Sequence, residues 1–315
     1  MAYVQILAGF ILLLGGSTML VSGAVAVAQR FRVSPMVIGL TLVGFGTSTP
    51  ELSASLGAAL LGSSGIAVGN VVGSNIANIL LILGLAALLR PIPVDAKAFR
   101  RDGLVLLAAT LLLMALGWLG MVERWLGLAM VAALVLYTVH AIRAERRAAR
   151  SDSVYVHEAA VAPLPQRNLA LAGAAAVAGL AALIGGADLL VEGAVVLARA
   201  WGVSESVIGL TIVAVGTSLP ELATSIVAAW RGETDVAFGN VVGSNIYNAL
   251  GILGATALVH PIAYPADIAQ LDNWLMLATT LLLLVFARSR LTISRWEGGV
   301  FLAAYLVYVA AMALR

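Results

Sequence analysis

The chain lacks cysteine altogether and has few charged or aromatic side chains. Of its 315 residues, 11% are Asp, Glu, Lys or Arg, 6% are aromatic and three are histidine. Without cysteine there can be no disulfide, no thiolate metal site and no thiol nucleophile. The histidines, His140, His157 and His260, lie at predicted helix ends or in a polar linker, so we expect no zinc or copper site.

The scarcity of charge also excludes whole classes of protein. A soluble domain is about 25% charged, whereas this chain is 61% hydrophobic with a formal net charge of +2. Its basic residues lie in short loops and form no continuous face, so we expect no nucleic-acid partner. Apolar runs long enough to cross a bilayer recur from end to end, which predicts an all-α polytopic membrane protein surrounded by lipid.

Ten predicted transmembrane spans fall into two sets of five. The first five cover 3–29, 34–61, 67–88, 103–121 and 123–143, and the second five cover 168–199, 204–231, 236–258, 271–287 and 292–314. A polar stretch separates the sets. We therefore divide the chain into a first five-helix repeat (1–143), a linker (144–167) and a second five-helix repeat (168–315).

The two sets are copies of one another at an offset of 170 positions. Between Ser34 and Ile92, 35 of 59 residues are identical to their offset partners, including Pro50, Glu51 and Asn70. Because five is odd, the second copy enters the membrane from the opposite side. The sequence thus predicts an inverted-topology repeat, an architecture typical of secondary transporters with a substrate site near the midplane.

Lysine and arginine predict the orientation. Nearly all of them lie after the odd-numbered spans or in the linker, whereas the other side has only Arg124, Arg199 and the terminal Arg315. By the positive-inside rule the linker is cytoplasmic and both termini are outside.

The stretch GFGTSTPEL, 44–52, carries a carboxylate in the middle of an apolar run, and AVGTSLPEL, 214–222, repeats it. A charge at the bilayer centre is costly, so Glu51 and Glu221 are predicted to face a cavity and carry function. Pro50 removes a helix hydrogen bond and frees a carbonyl, although one proline alone is as consistent with a simple kink.

The next span supplies GNVVGSNIAN, 69–78, and its copy GNVVGSNIYN, 239–248. Ser74 and Asn78 in the first copy, and Ser244 and Asn248 in the second, step by four along one helix face. We expect Asn70 and Asn240 to cap helices or join them. Asp188 and Glu192 have no acidic equivalents in the first copy, and we expect them to be solvated or salt-bridged near the outer end of span 6.

Together these motifs offer only oxygen ligands, which suit Ca²⁺ and Na⁺. Two facing glutamates cannot both stay ionised in a low dielectric without a cation or protons. One Ca²⁺ or several Na⁺ would neutralise them, and such mutual exclusion is what an antiporter needs. We expect no catalytic residues, no enzyme activity and no bound cofactor apart from the transported ions.

The paired motifs resemble those of the calcium/cation antiporter superfamily, and of the prokaryotic sodium/calcium exchangers in particular. The resemblance implies that Glu51 and Glu221 are the central ligands for both ions and that Thr47 and Thr217 complete the calcium site. It further implies sodium sites formed by four serines and two backbone carbonyls, with two asparagines between the glutamates: Ser48, Ser74, Ser218, Ser244, the carbonyls of Gly44 and Ala214, and Asn78 and Asn248.

The same resemblance implies how the protein works. Spans 1 and 6 would slide over the other helices in alternating access, three Na⁺ would move per Ca²⁺, and a monomer would suffice. Some relatives have aspartate where this chain has Asn248, which argues against potassium co-transport here. We expect Na⁺/Ca²⁺ exchange that extrudes Ca²⁺. Ca²⁺/H⁺ exchange and a passive cation channel remain the alternatives, and an intramembrane hydrolase would need a metal-binding set or nucleophile dyad that the sequence lacks.

Overall fold

A computed structural model describes residues 2–31, 33–151, 169–202 and 216–313 of the chain. In these ranges the chain is almost entirely helical. The helices are α1 (Ala2–Phe31), α2 (Pro35–Thr47), α3 (Thr49–Leu60), α4 (Ser64–Leu89), α5 (Ala96–Leu119), α6 (Arg124–Ser151), α7 (Leu169–Ala200), α8 (Leu219–Arg231), α9 (Thr234–Val259), α10 (Ile268–Arg290) and α11 (Arg295–Ala313). The predicted all-α class is confirmed.

Within the described ranges, seven helices are long and apolar enough to cross a membrane: α1, α4, α5, α6, α7, α9 and α10. The predicted second span is divided into α2 and α3. The predicted seventh span ends in α8, and its residues 204–215 lie outside the described ranges. The predicted tenth span corresponds to α11.

α6 continues as a helix to Ser151, so the first eight residues of the linker predicted at 144–167 are helical. Residues 152–168 lie outside the described part of the chain. Polar contacts that the apolar pattern did not show join this part of α6 to α5. Arg101 in α5 contacts Glu145 in α6 at 3.2 Å, and Tyr137 in α6 donates to Asp102 at 2.8 Å.

Among the described residues, four strands of two residues each join the ends of the helices in antiparallel pairs, and none was predicted. β1 (Ile92–Pro93) pairs with β4 (Thr292–Ile293), and β2 (Met121–Val122) pairs with β3 (Ile262–Ala263). Such short ladders satisfy the backbone polar groups of the connections, which periodicity over a long window does not detect.

These ladders mark the two ends of the helix bundle. At the β1–β4 end, Arg295 donates to the carbonyl of Leu89, and the Arg146 guanidinium lies 5.8 Å from the ring centre of Phe31. At the β2–β3 end, Arg124 donates to the carbonyl of Val259. We call the first the basic end, because it gathers most of the arginines that the sequence places in loops.

The longest helices, α1 and α7, pack along each other through glycines spaced seven residues apart. A Cβ added at Gly16 would lie 2.7 Å from the carbonyl oxygen of Gly179, and one added at Gly9 would lie 2.6 Å from that of Gly186. Only glycine permits so close a backbone approach, which is a common device between membrane helices. The two helices therefore form one tightly packed pair.

The centre of the bundle is formed by α4 and α9. Every residue of α9 from Val236 to Ile246 is buried, and α4 buries Val71, Val72 and Ile76. The half-length helices α3 and α8 pack against α4 and α9 respectively. This arrangement places the repeated GNVVGSN segments beside the two glutamate motifs.

Candidate cation site

The helix containing the first glutamate motif is interrupted at one residue. α2 ends at Thr47 and α3 begins at Thr49, with Ser48 between them at φ −81° and ψ 12°. The proline at position 50 occupies the first turn of α3, where its missing N–H costs no hydrogen bond. The helix is therefore interrupted at this motif, where the sequence predicted a lost hydrogen bond or a kink.

The second motif has nearly the same backbone. Ser218 precedes α8 at φ −90° and ψ 7°, and Pro220 lies in the first turn of α8. Thr217 lies in the turn just before it. Ala214, predicted to supply a carbonyl ligand, lies outside the described ranges.

Each glutamate is buried at the start of a helix. Glu51 is 2% exposed in the first turn of α3, and Glu221 is 1% exposed in the first turn of α8. The unpaired N–H groups of a helix start carry partial positive charge, which stabilises a nearby carboxylate. The break in each helix therefore creates a helix start, and a favourable place for negative charge, inside the bundle.

The two motifs exchange hydrogen bonds. Ser48 Oγ donates to Glu221 Oε1 at 2.7 Å, and Ser218 Oγ donates to Glu51 Oε1 at 3.0 Å. The serine in each motif thus donates to the glutamate of the other motif. The structure brings these four predicted residues into one site.

Several buried oxygens of the site lack a hydrogen-bond donor among the described residues. They are the second carboxylate oxygens of both glutamates and the side-chain carbonyls of two asparagines: Glu51 Oε2, Glu221 Oε2, Asn78 Oδ1 and Asn248 Oδ1. A buried acceptor without a donor is costly. These oxygens are therefore available to a cation.

Other predicted ligands lie in α2, α4 and α9. Thr47 Oγ1 donates to the carbonyl of Val43 at 3.0 Å and lies 3.3 Å from Asn240 Oδ1. Ser244 Oγ donates to the carbonyl of Gly44 at 3.2 Å, so one predicted ligand binds another. Ser74 is buried in α4 at 6% exposure.

Asn70 and Asn240 join helices, which was one of the two roles expected for them. Asn70 donates to Ser55 Oγ at 2.9 Å and to the carbonyl of Glu51 at 3.1 Å. Asn240 makes the same two bonds in the second copy, to Ser225 Oγ at 2.9 Å and to the carbonyl of Glu221 at 3.3 Å. These asparagines hold the backbone of each glutamate in place.

Sequence reasoning missed a second asparagine pair. Asn75 Nδ2 donates to the carbonyl of Asn245 at 3.3 Å, and Asn245 Nδ2 donates to the carbonyl of Asn75 at 3.1 Å. Asn78 in turn donates to Asn245 Oδ1 at 2.9 Å. Identity at the offset of 170 was the available indication, because each residue here meets its own copy.

Asp188 and Glu192 lie on the exposed surface of α7. Glu192 accepts a hydrogen bond from Gln5 of α1 at 3.3 Å. Exposure agrees with the expected solvated position.

The donor chemistry of the site is uniform. No cluster of three or more His, Cys, Asp or Glu side chains occurs in the described part of the chain. The site instead combines two carboxylates with neutral hydroxyl, amide and backbone oxygens. Such a set suits a hard cation, and the two negative charges match one divalent or two monovalent ions.

Comparison with known proteins identifies a family that matches this chain. The family described as sodium/calcium exchanger protein matches residues 1–143 and 171–314, which omits the whole predicted linker, the first three residues of the second repeat and the final residue. The sodium/calcium exchanger MaX1 of Methanosarcina acetivorans is 35% identical over 342 residues, covering 98% of each chain. The inner membrane protein YrbG of Escherichia coli is 34% identical over 319 residues, covering 99% of this chain and 97% of that one.

Solved structures of the sodium-calcium exchanger NCX_Mj have the same fold. One, soaked with 10 mM Na⁺ and 10 mM Sr²⁺, superimposes with a TM-score of 0.83 at 33% identity, covering 98% of this chain and 97% of that chain. Another, soaked with zero Na⁺ and Ca²⁺, gives a TM-score of 0.85 at 32% identity, covering 99% and 98%.

Proposed function

The chain belongs to the sodium/calcium exchanger family of membrane antiporters, and we propose that it exchanges Na⁺ for Ca²⁺ across the cytoplasmic membrane. It is an integral membrane protein. In the proposed topology ten spans form two inverted repeats. The basic end faces the cytoplasm, both termini lie outside, and a monomer is sufficient for transport.

The observation that best supports this function is that the serine of each motif donates a hydrogen bond to the glutamate of the other motif. Ser48 and Ser218 each satisfy one oxygen of the opposite glutamate, and the second oxygen of each glutamate has no donor in the described part of the chain. Two buried carboxylates left in this state need compensating positive charge. One Ca²⁺ between Glu51 and Glu221 would supply it.

Sodium would compete for the same oxygens. We propose that Thr47 and Thr217 complete the calcium site and that sodium is held by Ser48, Ser74, Ser218, Ser244, the carbonyls of Gly44 and Ala214, and the amide oxygens of Asn78 and Asn248. Because the two glutamates are shared, Ca²⁺ and a full set of Na⁺ cannot be bound together. Competition of this kind couples the two fluxes.

The proposed stoichiometry, three Na⁺ for one Ca²⁺, moves one net charge per cycle. Such a cycle responds to the membrane potential by about 2.3 kcal/mol per charge per 100 mV. A potential that is negative inside therefore favours Ca²⁺ extrusion.

Uptake of ⁴⁵Ca²⁺ into proteoliposomes under imposed Na⁺, K⁺ or H⁺ gradients, with and without valinomycin, tests the proposal. We expect uptake to require an outward Na⁺ gradient and to respond to a potassium diffusion potential set by valinomycin. Glu51→Gln and Glu221→Gln should each reduce uptake at least about 100-fold, because breaking a buried charged site costs several kcal/mol. Glu123→Gln is the control, since Glu123 is exposed between β2 and α6.

Each rival gives a different result. Uptake that follows a pH gradient and ignores Na⁺ would identify a Ca²⁺/H⁺ exchanger. Calcium conductance without any counter-ion gradient would identify a channel. Wild-type flux in Glu51→Gln would show that the paired glutamates are not the transport site.

A further inference from the structure

A groove opens on the protein surface at the basic end, between the first turns of α5 and the last turns of α10. Its volume is about 320 Å³, within the range of small-molecule sites. It is lined by five apolar residues, Phe99, Gly103, Leu104, Leu107 and Leu284, and by two arginines, Arg100 and Arg288. Its lining residues are distant in sequence from both glutamate motifs.

The groove exists because position 103 has no side chain. A Cβ added at Gly103 would lie 2.9 Å from Leu284 Cδ2 and 3.4 Å from Phe99 Cε2. A larger residue would therefore occupy the space between the two helices.

No described residue neutralises the two arginines. Both are exposed, and neither forms an ion pair or hydrogen bond with the described residues. Their neighbour Arg101 points into the protein, where it pairs with Asp102 at 2.6 Å and with Glu145 at 3.2 Å. Because no acidic residue lines the groove, it carries two positive charges beside an apolar wall.

The mouth of the groove is fixed by backbone pairing. β1 leads into α5 and β4 follows α10, and their ladder pairs Ile92 with Ile293. Val94 N also donates to the carbonyl of Leu291 at 2.8 Å. The two helix ends that form the groove are therefore held side by side, and a ligand would meet a preformed site.

The second copy lacks the residues that form this groove, which gives an internal comparison. The equivalents of Arg100 and Arg288 are Gln270 and Trp118, and the equivalent of Gly103 is Asn273. Asn273 is fully buried, accepts a hydrogen bond from Tyr264 at 2.8 Å and donates to the carbonyl of Leu113 at 3.3 Å. The two copies therefore differ at this place, and the pair of arginines occurs in one of them only.

We propose that this groove binds an anionic phospholipid, with an acyl chain along Leu104, Leu107 and Leu284 and the headgroup phosphate on Arg100 and Arg288. Guanidinium groups bind phosphate through paired, charge-assisted hydrogen bonds. Basic pockets between membrane helices bind anionic headgroups. A zwitterionic lipid should bind less tightly, because its headgroup also carries a positive charge that the two arginines repel. The site is independent of ion exchange.

Native mass spectrometry of the purified full chain tests the proposal, with titration by phosphatidylglycerol or phosphatidylcholine of identical acyl chains. We expect phosphatidylglycerol to bind more tightly. Removing both charges in Arg100→Gln/Arg288→Gln should weaken it about 20- to 30-fold, since each arginine near a headgroup contributes about 1 kcal/mol. Gly103→Leu should weaken both lipids while leaving the charges in place.

Arg290→Gln is the matched control, because Arg290 is exposed at the same end of α10 but does not line the groove. Equal binding of the two lipids would overturn the proposal, as would an equal loss in Arg290→Gln. Displacement of phosphatidylglycerol by inorganic phosphate at the same concentration would also overturn it, because the site would then recognise phosphate alone. A melting temperature like that of the wild type in the double variant shows that its loss of binding is local.

Discussion

The helices α1 and α7 occupy equivalent places in the two copies, yet they contact their neighbours differently. At the basic end, Arg231 of α8 donates to Ser22 Oγ and, at 3.4 Å, to the carbonyl of Thr18, both in α1. The equivalent positions at the opposite end are Leu61, Glu192 and Asp188. There Leu61 is 85% exposed and both acidic residues are exposed, so no such bond is made.

This difference shows that repetition in the sequence does not make the two ends alike. The α1–α7 pair is bonded to α8 at the basic end, whereas the far end presents two carboxylates and an exposed leucine. The two copies have nearly the same glutamate motif and differ in the chemistry of the surfaces around it. If the chain works by the alternating access that its resemblance implies, its two ends must make unequal contacts in any one conformation.

The largest effect is expected at the close contact between α1 and α7. Gly16→Val and its equivalent Gly186→Val place a branched side chain against backbone, and each should lower the free energy of unfolding by about 1–3 kcal/mol. Thermal denaturation in detergent measures this as a lower melting temperature.

Gly15→Val and Gly185→Val are the controls, because no described atom lies within 4 Å of a Cβ added at either position. Each control has the same change in helix propensity as its neighbour. If Gly15→Val lowered the melting temperature as much as Gly16→Val, close packing between α1 and α7 would not be the cause.

An intermediate effect is expected at the serines that cross between the copies. Ser48→Ala and Ser218→Ala each remove one hydrogen bond to the opposite glutamate and should weaken calcium affinity by about 5- to 10-fold. Calorimetric titration with Ca²⁺ measures both. Similar losses would show that the site is symmetric although its surroundings are not, and a loss in only one variant would contradict this.

The smallest effect is expected at Arg231. Replacing it with leucine, the residue at the equivalent position 61, makes the two ends more alike and should open the contact between α1 and α8. Because the chain has no cysteine, Ala228→Cys provides a single probe at a fully buried position of α8. Its labelling by a methanethiosulfonate reagent should accelerate about fivefold in Arg231→Leu, as expected for an exposed bond of about 1 kcal/mol.

Arg290→Leu in the same Ala228→Cys background controls for loss of a basic residue from this end. Equal acceleration in both variants would show a general effect of charge. Unchanged labelling in Arg231→Leu would show that the bond to Ser22 does not hold the two helices together.

Much of the fold could be predicted because lipid imposes strong local rules. Long apolar runs located the spans, and their ends agree with the observed helices to within a few residues at most positions. The exceptions have local causes. α5 begins at Ala96, seven residues before the predicted 103, because its first turns carry charges and Asp95 caps its N-terminus. α6 runs past 143 because Arg101 and Glu145 bond across the helices.

The candidate site could be predicted in kind and only partly in detail. Pro50 and Pro220 indicated the breaks, and an intramembrane glutamate indicated function. The sequence could not show that Ser48 binds Glu221 and that Ser218 binds Glu51. That pairing depends on how two helices 170 positions apart approach each other, and no local periodicity encodes it.

The sequence by itself determined the membrane environment, the repeated motifs and the oxygen chemistry of the site, because each follows from residue type and short-range spacing. Only the tertiary structure decided which residues of one copy contact which residues of the other. Asn75 binds Asn245, and the serine of each motif binds the glutamate of the opposite motif. The tertiary structure also decided where the copies differ, in the bond of Arg231 to α1 and in the groove beside Gly103. Long-range packing depends on the shapes of both partners at once, and two copies of nearly one sequence can therefore adopt unequal surroundings.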